Sequence, residues 1–334
     1  MIARWILACG LVAACGQRDT RDLFASGTQH SAIPDDPTTK LPFSGVALSS
    51  TDVAEGLASP ECVIHDVRHD VYLVSNMNGA PHDLDDNGYI SKFSPDGTLL
   101  VKKWIDGASP DVQLDAPRGM ALDATTLYVV DVNAIRLFDR ETGAQTGSWP
   151  VPDAHFPNDI RVDADGNILL TETGIFLSPE GPIPQGDSII WKFTPDGKPT
   201  AIARGTDLLG PNGIAATEDG IVIAAFLGTD VYKLVDGKRE PIATLPHGLL
   251  DGLVELDDGS FLVTSWEAKG IYRVWPDGHY YLALHTPGMV GSASIDYDFK
   301  REQVIVPNAL ASTLLIEPYP QNTAPAPSMP IAPI

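Results

Sequence analysis

The sequence predicts an all-β protein folded as a six-bladed β-propeller, and three observations support that prediction. A short motif recurs six times between about residues 41 and 317, with successive copies 39 to 57 residues apart. Each copy leads into short apolar runs, several of them separated by tight-turn pairs such as Asp165-Gly166. The chain also contains 30 Gly and 28 Pro, which leave few windows for helices. Repeats of this length with several short strands are typical of propeller blades.

The recurring motif is four residues long and precedes an apolar strand. Its six copies are Pro60-Glu61-Cys62-Val63, Pro117-Arg118-Gly119-Met120, Pro157-Asn158-Asp159-Ile160, Pro211-Asn212-Gly213-Ile214, Leu250-Asp251-Gly252-Leu253 and the divergent Gly291-Ser292-Ala293-Ser294. Asp-Gly between β-rich runs predicts hairpins, because Gly adopts the positive φ that a tight turn needs. Two sandwiches in tandem would explain the strands but not one recurring motif. We expect Phe43 to Leu48 to complete the last blade and leave no open edge.

Composition limits the classes of partner. The 334 residues include 22 Lys and Arg against 44 Asp and Glu, a formal net charge of -22. A general nucleic-acid binder needs a basic face, so the sequence predicts no nucleic-acid partner. An acidic, oxygen-rich surface suits solubility and hard cations such as calcium. The apolar content of 43% is enough for a large core.

The N-terminus predicts export. Residues 1–14 have one early Arg, an apolar stretch and small residues, the layout of a signal peptide too short to span a bilayer. Val12 to Cys15 resemble the bacterial lipoprotein signal, in which the Cys becomes the lipidated N-terminus; an ordinary signal peptide with a chance Cys is the alternative. Gly16 follows, where Asp would retain a lipoprotein in the inner membrane. The resemblance implies an anchor in the outer membrane of a Gram-negative cell, facing the periplasm.

The flanks of the propeller are expected to be extended. Residues 15–40 form a polar tether from Cys15, and residues 318–334 form a Pro-rich tail. We expect a monomer that meets a membrane only through its lipid anchor. Of the three cysteines, Cys9 leaves with the signal and Cys15 carries lipid, so Cys62 has no disulfide partner and is expected to be a small buried hydrophobe.

Oxygen-bearing side chains recur at the second position of the motif. These are Glu61, Asn158, Asn212 and Asp251. The innermost strands of a propeller surround its channel, so residues at their entrances converge on the axis. Two carboxylates and two carboxamides suit calcium, whereas magnesium fits less well and zinc lacks its His and Cys ligands. Asn and Asp at these positions could instead only shape turns, but four equivalent occurrences make that reading weaker.

The motifs resemble those of the senescence-marker-protein/gluconolactonase (regucalcin-like) family of six-bladed calcium propellers. The strongest matches are Phe156 to Asn167, Gly210 to Ile214 and Leu250 to Gly259. The resemblance implies a metal held by Glu61, Asn158, Asn212 and Asp251, with Asp251 also acting as general base. Paraoxonase-like lactonases have a related calcium site, which widens the range of substrates.

Two positions depart from the family pattern. Family sugar lactonases often carry an Arg two positions before the Asn that matches Asn158, where this chain has Phe156. The Glu-Gly-Pro-x-Trp style of the first blade is replaced by Glu61-Cys62-Val63-Ile64. A hydroxyl-rich lactone loses a partner at Phe156, whereas a more apolar lactone or ester gains a stacking surface.

Other polar and aromatic residues are secondary candidates for the site. Asp159, His155 and His247 lie near the motifs in sequence and, with Phe156, are candidate substrate-lining residues. Trp266 follows the strand of Asp251 and is a candidate for the pocket mouth. His82 to Gly88 contains Asp-x-Asp-x-Asn-Gly, but Ser94 occupies the twelfth position where a calcium loop of the EF-hand type has Glu. A solvated loop is the expected structure there.

Two functions are compatible with the sequence. The first is a calcium-dependent hydrolase of a small-molecule lactone or ester, in which the cation polarises the carbonyl and Asp251 activates water. The second is a non-catalytic, lipid-anchored propeller that binds a partner on its flat face. The fold alone does not separate them, because propellers host both.

Overall fold

A computed structural model describes residues 51–178 and 181–321. The described residues form 26 β-strands and the short 3-10 helix Thr206–Leu208. The strands build six four-stranded antiparallel sheets and a separate two-stranded hairpin. The six-bladed β-propeller expected from the sequence is therefore confirmed.

The first three blades each begin at one of the recurring motifs. Blade 1 consists of β2 (Pro60–Asp66), β3 (Val71–Asn76), β4 (Tyr89–Phe93) and β5 (Leu99–Asp106). Blade 2 consists of β6 (Met120–Leu122), β7 (Thr126–Val130), β8 (Ala134–Asp139) and β9 (Gln145–Pro150). Blade 3 consists of β10 (Pro157–Val162), β11 (Ile168–Glu172), β14 (Ile189–Phe193) and β15 (Pro199–Arg204), with the hairpin β12 (Ile175–Ser178) and β13 (Gly181–Pro184) inserted between its second and third strands.

The remaining blades complete the ring. Blade 4 consists of β16 (Pro211–Thr217), β17 (Gly220–Ala225), β18 (Asp230–Val235) and β19 (Lys238–Thr244). Blade 5 consists of β20 (Leu250–Glu255), β21 (Phe261–Ser265), β22 (Gly270–Val274) and β23 (Tyr280–His285). Blade 6 consists of β24 (Asp296–Asp298), β25 (Gln303–Asn308), β26 (Thr313–Pro318) and β1 (Thr51–Val53). The first strands of the blades, β2, β6, β10, β16, β20 and β24, are successive neighbours around the axis.

The last blade joins the two ends of the described chain. Strand β1 pairs antiparallel with β26, and Val53 lies opposite Leu314. An N-terminal strand thus closes the ring, as expected, but that strand is Thr51–Val53. The segment Phe43 to Leu48, predicted from the sequence to complete the last blade, lies outside the described residues.

The core is divided into wedges between blades. Within the described residues, six apolar clusters each join two neighbouring blades around the ring. The cluster of blades 6 and 1 contains Val53, Val63 and Leu314, so the closing strand is packed as well as paired. Cys62 is fully buried in the cluster of blades 1 and 2, which agrees with its expected role as a small hydrophobe.

Tight turns occur where Asp-Gly pairs were expected. Gly166, between the first two strands of blade 3, has φ of 79°. Gly97, between the last two strands of blade 1, has φ of 87°. These backbone conformations are costly for residues with a Cβ, which explains why Gly occupies them.

The packed chain continues past Glu317, the expected end of the propeller. Strand β26 reaches Pro318, and the Tyr319 side chain is buried. The Tyr319 amide donates to the Glu302 carbonyl at 2.7 Å, and its hydroxyl pairs with that of Tyr281 at 2.9 Å. Pro318 and Tyr319, expected to belong to the tail, are therefore part of the packed propeller, because Tyr319 fills space between blades 5 and 6. Residues 1–50, which include the predicted signal, Cys15 and the predicted tether, and residues 322–334 lie outside the described residues.

In the part of the chain that the structure describes, no helix is long and apolar enough to cross a bilayer.

Candidate functional site

Four of the six motifs contain a β-bulge. The pairing register shifts between Pro60 and Val63, Pro157 and Ile160, Pro211 and Ile214, and Leu250 and Leu253. A bulge interrupts the alternation of a strand and re-aims the side chains within it. The first residues of the four bulges are the four predicted ligands, Glu61, Asn158, Asn212 and Asp251.

The same four side chains line one pocket on the propeller axis. All six blades contribute to this pocket, whose empty volume is about 600 Å³ including its open part. The four residues are between 2% and 8% exposed. We call them the polar base of the pocket. The structure thus brings together residues that are up to 190 positions apart in the sequence, from Glu61 to Asp251.

Three oxygens of the polar base lack a hydrogen-bond partner among the described residues. They are Glu61 Oε2, Asn158 Oδ1 and Asp251 Oδ1. The other polar atoms of two of these residues are engaged: Asn158 Nδ2 donates to Thr173 Oγ1 at 3.2 Å, and Trp266 Nε1 donates to Asp251 Oδ2 at 2.9 Å. Buried oxygens without partners are costly, and hard oxygens from several residues facing one space suit a cation. The donor set therefore fits calcium.

The polar base concentrates negative charge. Burial raises the pKa of the Glu61 carboxyl well above its usual range, and the nearby carboxyls of Asp251 and Asp159 raise it further. Burial likewise raises the pKa of Asp251, the charge of Asp159 adds to that shift, and the hydrogen bond from Trp266 opposes it. A cation between these carboxyls would favour their ionised forms.

Carboxylates and histidines alone do not make a metal site here. Among the described residues, no group of three or more His, Cys, Asp and Glu side chains is arranged to hold a metal ion. A cation in this pocket would therefore depend on the amide oxygens of Asn158 and Asn212 as well as on the two carboxylates.

Arg118 also lines the pocket, although it is not one of the site residues predicted from the sequence. It holds the second position of the blade 2 motif, equivalent to the four ligand positions, and is fully buried. Its Nη1 donates to the Pro157 carbonyl at 2.6 Å, its Nη2 donates to the Pro81 carbonyl, and its guanidinium lies 4.0 Å from the centre of the Phe156 ring. Alignment of the six motifs could have identified Arg118, because the signal is its position in the motif.

Only one of the four candidate substrate-lining residues borders the pocket. Phe156 does so, while Asp159, His155 and His247 are not among its lining residues. Asp159 follows Asn158 in the bulge and is bound from the other side: Ile214 N donates to its Oδ2 at 3.2 Å and Arg161 Nη1 to its Oδ1 at 3.1 Å. His155 is exposed. Nearness to a motif in sequence did not predict which side chains line the pocket, because successive residues of an extended chain point in different directions.

Two insertions meet above the polar base. Residues 77–88 connect β3 to β4, and the hairpin β12–β13 leaves blade 3. His82 joins them: its Nε2 accepts a hydrogen bond from Leu177 N at 3.0 Å, and its ring stacks on Phe176 with centroids 4.4 Å apart. The two longest intervals between motifs, 57 and 54 residues, contain these insertions. The acidic run in residues 83–87 is largely exposed in a loop between strands, as expected.

The fold and site define a six-bladed β-propeller with a buried, oxygen-lined pocket on its axis. No protein-family model matches the sequence, and no curated protein does. Solved structures share the fold. A structural-genomics target with a provisional gluconolactonase assignment is 17% identical, with a TM-score of 0.58, covering 82% of this chain and 93% of its own. A gluconolactonase from Xanthomonas campestris is 20% identical, with a TM-score of 0.55, and the match covers 81% of this chain and 98% of the gluconolactonase.

A second group of solved structures has another activity. A catalytically inactive virginiamycin B lyase from Staphylococcus aureus, solved with quinupristin, is 13% identical, with a TM-score of 0.55, over 80% of this chain and 97% of its own. At these identities the likeness concerns the fold, and the chemistry must be argued from the pocket.

Proposed function

We propose that this protein hydrolyses a small-molecule lactone or ester, and that Glu61, Asn158, Asn212 and Asp251 hold a divalent cation, calcium by the chemistry of the donors. One observation carries the proposal. Three buried oxygens without hydrogen-bond partners among the described residues, Glu61 Oε2, Asn158 Oδ1 and Asp251 Oδ1, belong to a single axial pocket. When bound, the cation supplies positive charge that polarises a carbonyl oxygen and offsets the charge that develops on it.

Asp251 acts as the general base in this proposal. Trp266 Nε1 holds its Oδ2, and Oδ1 is without a partner in the described structure. A water oxygen bonds to the carbonyl carbon while Asp251 takes a proton from that water. The bond between the carbonyl carbon and the ester oxygen then breaks, and the leaving oxygen receives the proton. A lactone gives a hydroxy acid, and an ester gives an acid and an alcohol.

Arg118 and the apolar residues around it support the chemistry from the pocket wall. The Arg118 guanidinium is the positive group that lowers the pKa of Glu61, opposing the effect of burial. It also attaches the pocket to the 77–88 insertion through the Pro81 carbonyl. The mostly apolar wall lowers the polarity around the carbonyl, which strengthens electrostatic interactions at the polar base.

The solved structures that share this fold suggest both the proposed reaction and a competing one. Two of them are described as gluconolactonases, which favours lactone hydrolysis, and others are described as lyases. The products separate these reactions. Hydrolysis in ¹⁸O-labelled water places one labelled oxygen in the acid, whereas elimination creates a double bond and takes no oxygen from water.

The test combines metal binding with turnover. Calcium should raise the melting temperature of the purified protein and should be required for hydrolysis in a panel of lactones and esters. Asp251→Asn keeps an oxygen donor but removes the base, so hydrolysis should fall by about 10²–10⁴-fold while calcium still stabilises the fold. Glu61→Gln should mainly weaken calcium binding, with activity partly restored by excess calcium.

Asp86→Asn, in an exposed loop, is the matched control and should behave like wild type. Hydrolysis that survives Asp251→Asn unchanged would locate the chemistry elsewhere. A protein that binds calcium and turns over no lactone or ester would favour the competing function, a lipid-anchored binding scaffold.

A further inference from the structure

The pocket has an apolar side that faces its polar base. Besides the six clusters between blades, the described residues contain a seventh apolar cluster, formed by Phe156, Ile175 and Phe226 with Leu177, Leu249 and Trp266. All of these except Leu249 also line the pocket. We call this cluster the apolar cap. Its members come from blades 3, 4 and 5, and a ligand in the pocket would contact the five of them that line it.

The two insertions contribute part of the apolar lining of the pocket. Ile175 and Leu177 come from β12 of the inserted hairpin, and Met77 and Pro81 come from the 77–88 insertion. Blade 6 contributes Ala309 and Leu310, from the turn between β25 and β26. Apart from the polar base, Ser59 and Arg118, every residue that lines the pocket is apolar.

The cap is held in place before any ligand binds. Leu177 N donates to His82 Nε2 at 3.0 Å, and the His82 ring contacts Phe156 at a centroid distance of 5.3 Å. Arg118 fixes the 77–88 insertion through the Pro81 carbonyl. A ligand therefore meets a preformed apolar surface and does not have to order it.

We propose that the substrate is a lactone or ester with an apolar body, an alkyl chain of several carbons or an aryl group, and that polyhydroxylated lactones are poor substrates. The proposal rests on the proposed function and specifies its substrate class. The carbonyl lies at the polar base and the apolar body lies under the cap. Hydroxyl groups placed against the cap would lose water without gaining partners, which disfavours a sugar lactone.

The test is a series of γ-lactones whose side chain grows from none to seven carbons, with glucono-δ-lactone as the hydroxylated comparison. The purified full chain is assayed with calcium. Each added methylene should raise kcat/KM by about fourfold, the equivalent of about 0.8 kcal/mol, until the pocket is full. Glucono-δ-lactone should react more slowly than the longer alkyl lactones.

A pair of variants on one hairpin locates the effect. Leu177→Asn places an amide in the cap and should flatten the dependence on chain length. Ile183→Asn is the matched control, since Ile183 lies on the paired strand, is 46% exposed and does not line the pocket. It should keep the wild-type dependence. If both variants flatten the dependence of kcat/KM on side-chain length equally, or if neither variant does, the cap does not determine that dependence.

The outcomes separate this inference from the proposed function. Hydrolysis with no gain from longer chains, or with preference for glucono-δ-lactone, would overturn the apolar substrate class and leave lactone hydrolysis intact. If no lactone or ester is hydrolysed, the proposed function fails, and γ-lactams with the same side chains, measured by calorimetry, still test the cap. Affinity that rises with lactam chain length would support an apolar ligand, and affinity independent of chain length would exclude one.

Discussion

At the scale of single residues, the two oxygens of Asp251 have different surroundings. Oδ2 accepts the hydrogen bond from Trp266 Nε1 at 2.9 Å, and Oδ1 is buried without a hydrogen-bond partner among the described residues. Trp266 lies directly after β21, where its ring also contacts Phe226 at a centroid distance of 5.8 Å. The indole therefore orients the proposed base and belongs to the apolar cap as well.

Trp266→Phe tests this orientation. The substitution keeps an aromatic ring but removes the N–H donor. A hydrogen bond to a charged group contributes about 1.5–3 kcal/mol, so kcat for a lactone should fall about 10- to 100-fold, with a smaller change in KM. Trp275→Phe is the control, because Trp275 packs on Arg273 at 4.9 Å and does not line the pocket. Equal losses in both variants would argue against a specific role for the indole.

The hydrogen bond that joins the cap to His82 should depend on pH. Burial lowers the pKa of His82 from 6.5 to about 4, the positive charge of Arg118 contributes to the lowering, and the charge of Asp83 opposes it. The neutral ring is the form whose Nε2 can accept the hydrogen bond from Leu177 N. Protonation of the ring, at a pH below this pKa, removes that acceptor.

The sign of the stability change follows from proton binding. Between pH 6.5 and about 4 the unfolded chain binds a proton at His82 that the folded chain does not. Stability should therefore decrease as pH falls through this window. His82→Gln should lose this contribution, so its melting temperature, relative to wild type, should rise as pH falls from 6.5 to about 4. His279 is exposed, so His279→Gln is the control, and its melting temperature should follow that of wild type across this pH range. If the melting temperature of His82→Gln also follows that of wild type, His82 is not the group responsible.

At the scale of the elements, the motif at the start of each blade serves both packing and the site. In four blades a bulge aims the second residue of the motif at the axis, and in three of the six motifs the third residue is Gly. A Cβ on Gly213 would lie 2.4 Å from the Asp251 carbonyl oxygen, and one on Gly252 would lie 2.4 Å from Ile295 N. The neighbouring inner strands approach so closely that a side chain has no room between them.

Gly213→Ala should therefore be strongly destabilising. The clash is with backbone, which cannot move without separating blades 4 and 5, and overpacking of this kind costs about 1–3 kcal/mol or more. Urea unfolding should show a lower midpoint with an unchanged slope. Gly288→Ala is the control, since a Cβ added to Gly288 would have no atom within 4 Å and the φ of Gly288 is ordinary. A Gly213→Ala protein as stable as Gly288→Ala would show that the inner strands can separate.

At the scale of the whole molecule, stability depends on closure of the ring. Strand β1 pairs with β26, and Val53 packs with Val63 and Leu314 in the wedge between blades 6 and 1. Each blade is covered on both faces by its neighbours, so loss of one wedge exposes apolar surface on two blades. The described propeller should unfold as one cooperative unit.

Val53→Asp tests this coupling. A carboxylate introduced among the apolar side chains of the wedge loses its hydration, so the melting temperature of the whole domain should fall by several degrees while calorimetry still shows one transition. Val67→Asp is the control, because Val67 is 72% exposed. Two separate transitions in Val53→Asp would mean that the blades do not depend on closure.

For the whole molecule we also propose a location, the outer membrane, to which a lipid on Cys15 would anchor the protein. Cys15 lies outside the described residues, and the lipoprotein-like signal around it is the basis for anchoring at the outer membrane. Cys15→Ser should leave the protein unprocessed or release it from the membrane fraction, whereas Cys9→Ser should fractionate like wild type. A Cys15→Ser protein that is processed and sedimented like wild type would exclude the lipid anchor.

Part of this architecture could be predicted because its signals are local. Short apolar runs, Asp-Gly turns and six copies of one motif determine strands, hairpins and blade number within windows of about 40 residues. The equivalence of the motifs also predicted that Glu61, Asn158, Asn212 and Asp251 converge, and the structure brings them to one pocket. The pairing of Thr51–Val53 with the last blade was not predicted, because an edge strand of three residues is too short to show a pattern.

The sequence by itself determined the repeat, the turns and the polar side chains available at the axis. Only the tertiary structure decided which other groups share the pocket, among them Arg118 from blade 2 and the apolar residues that the two insertions contribute. The physical reason is the range of the contacts. His82 and Leu177 are 95 residues apart, and their hydrogen bond depends on two loops of irregular sequence that carry no periodic signal. Such contacts form only when the blades have closed and brought the loops to one end of the channel.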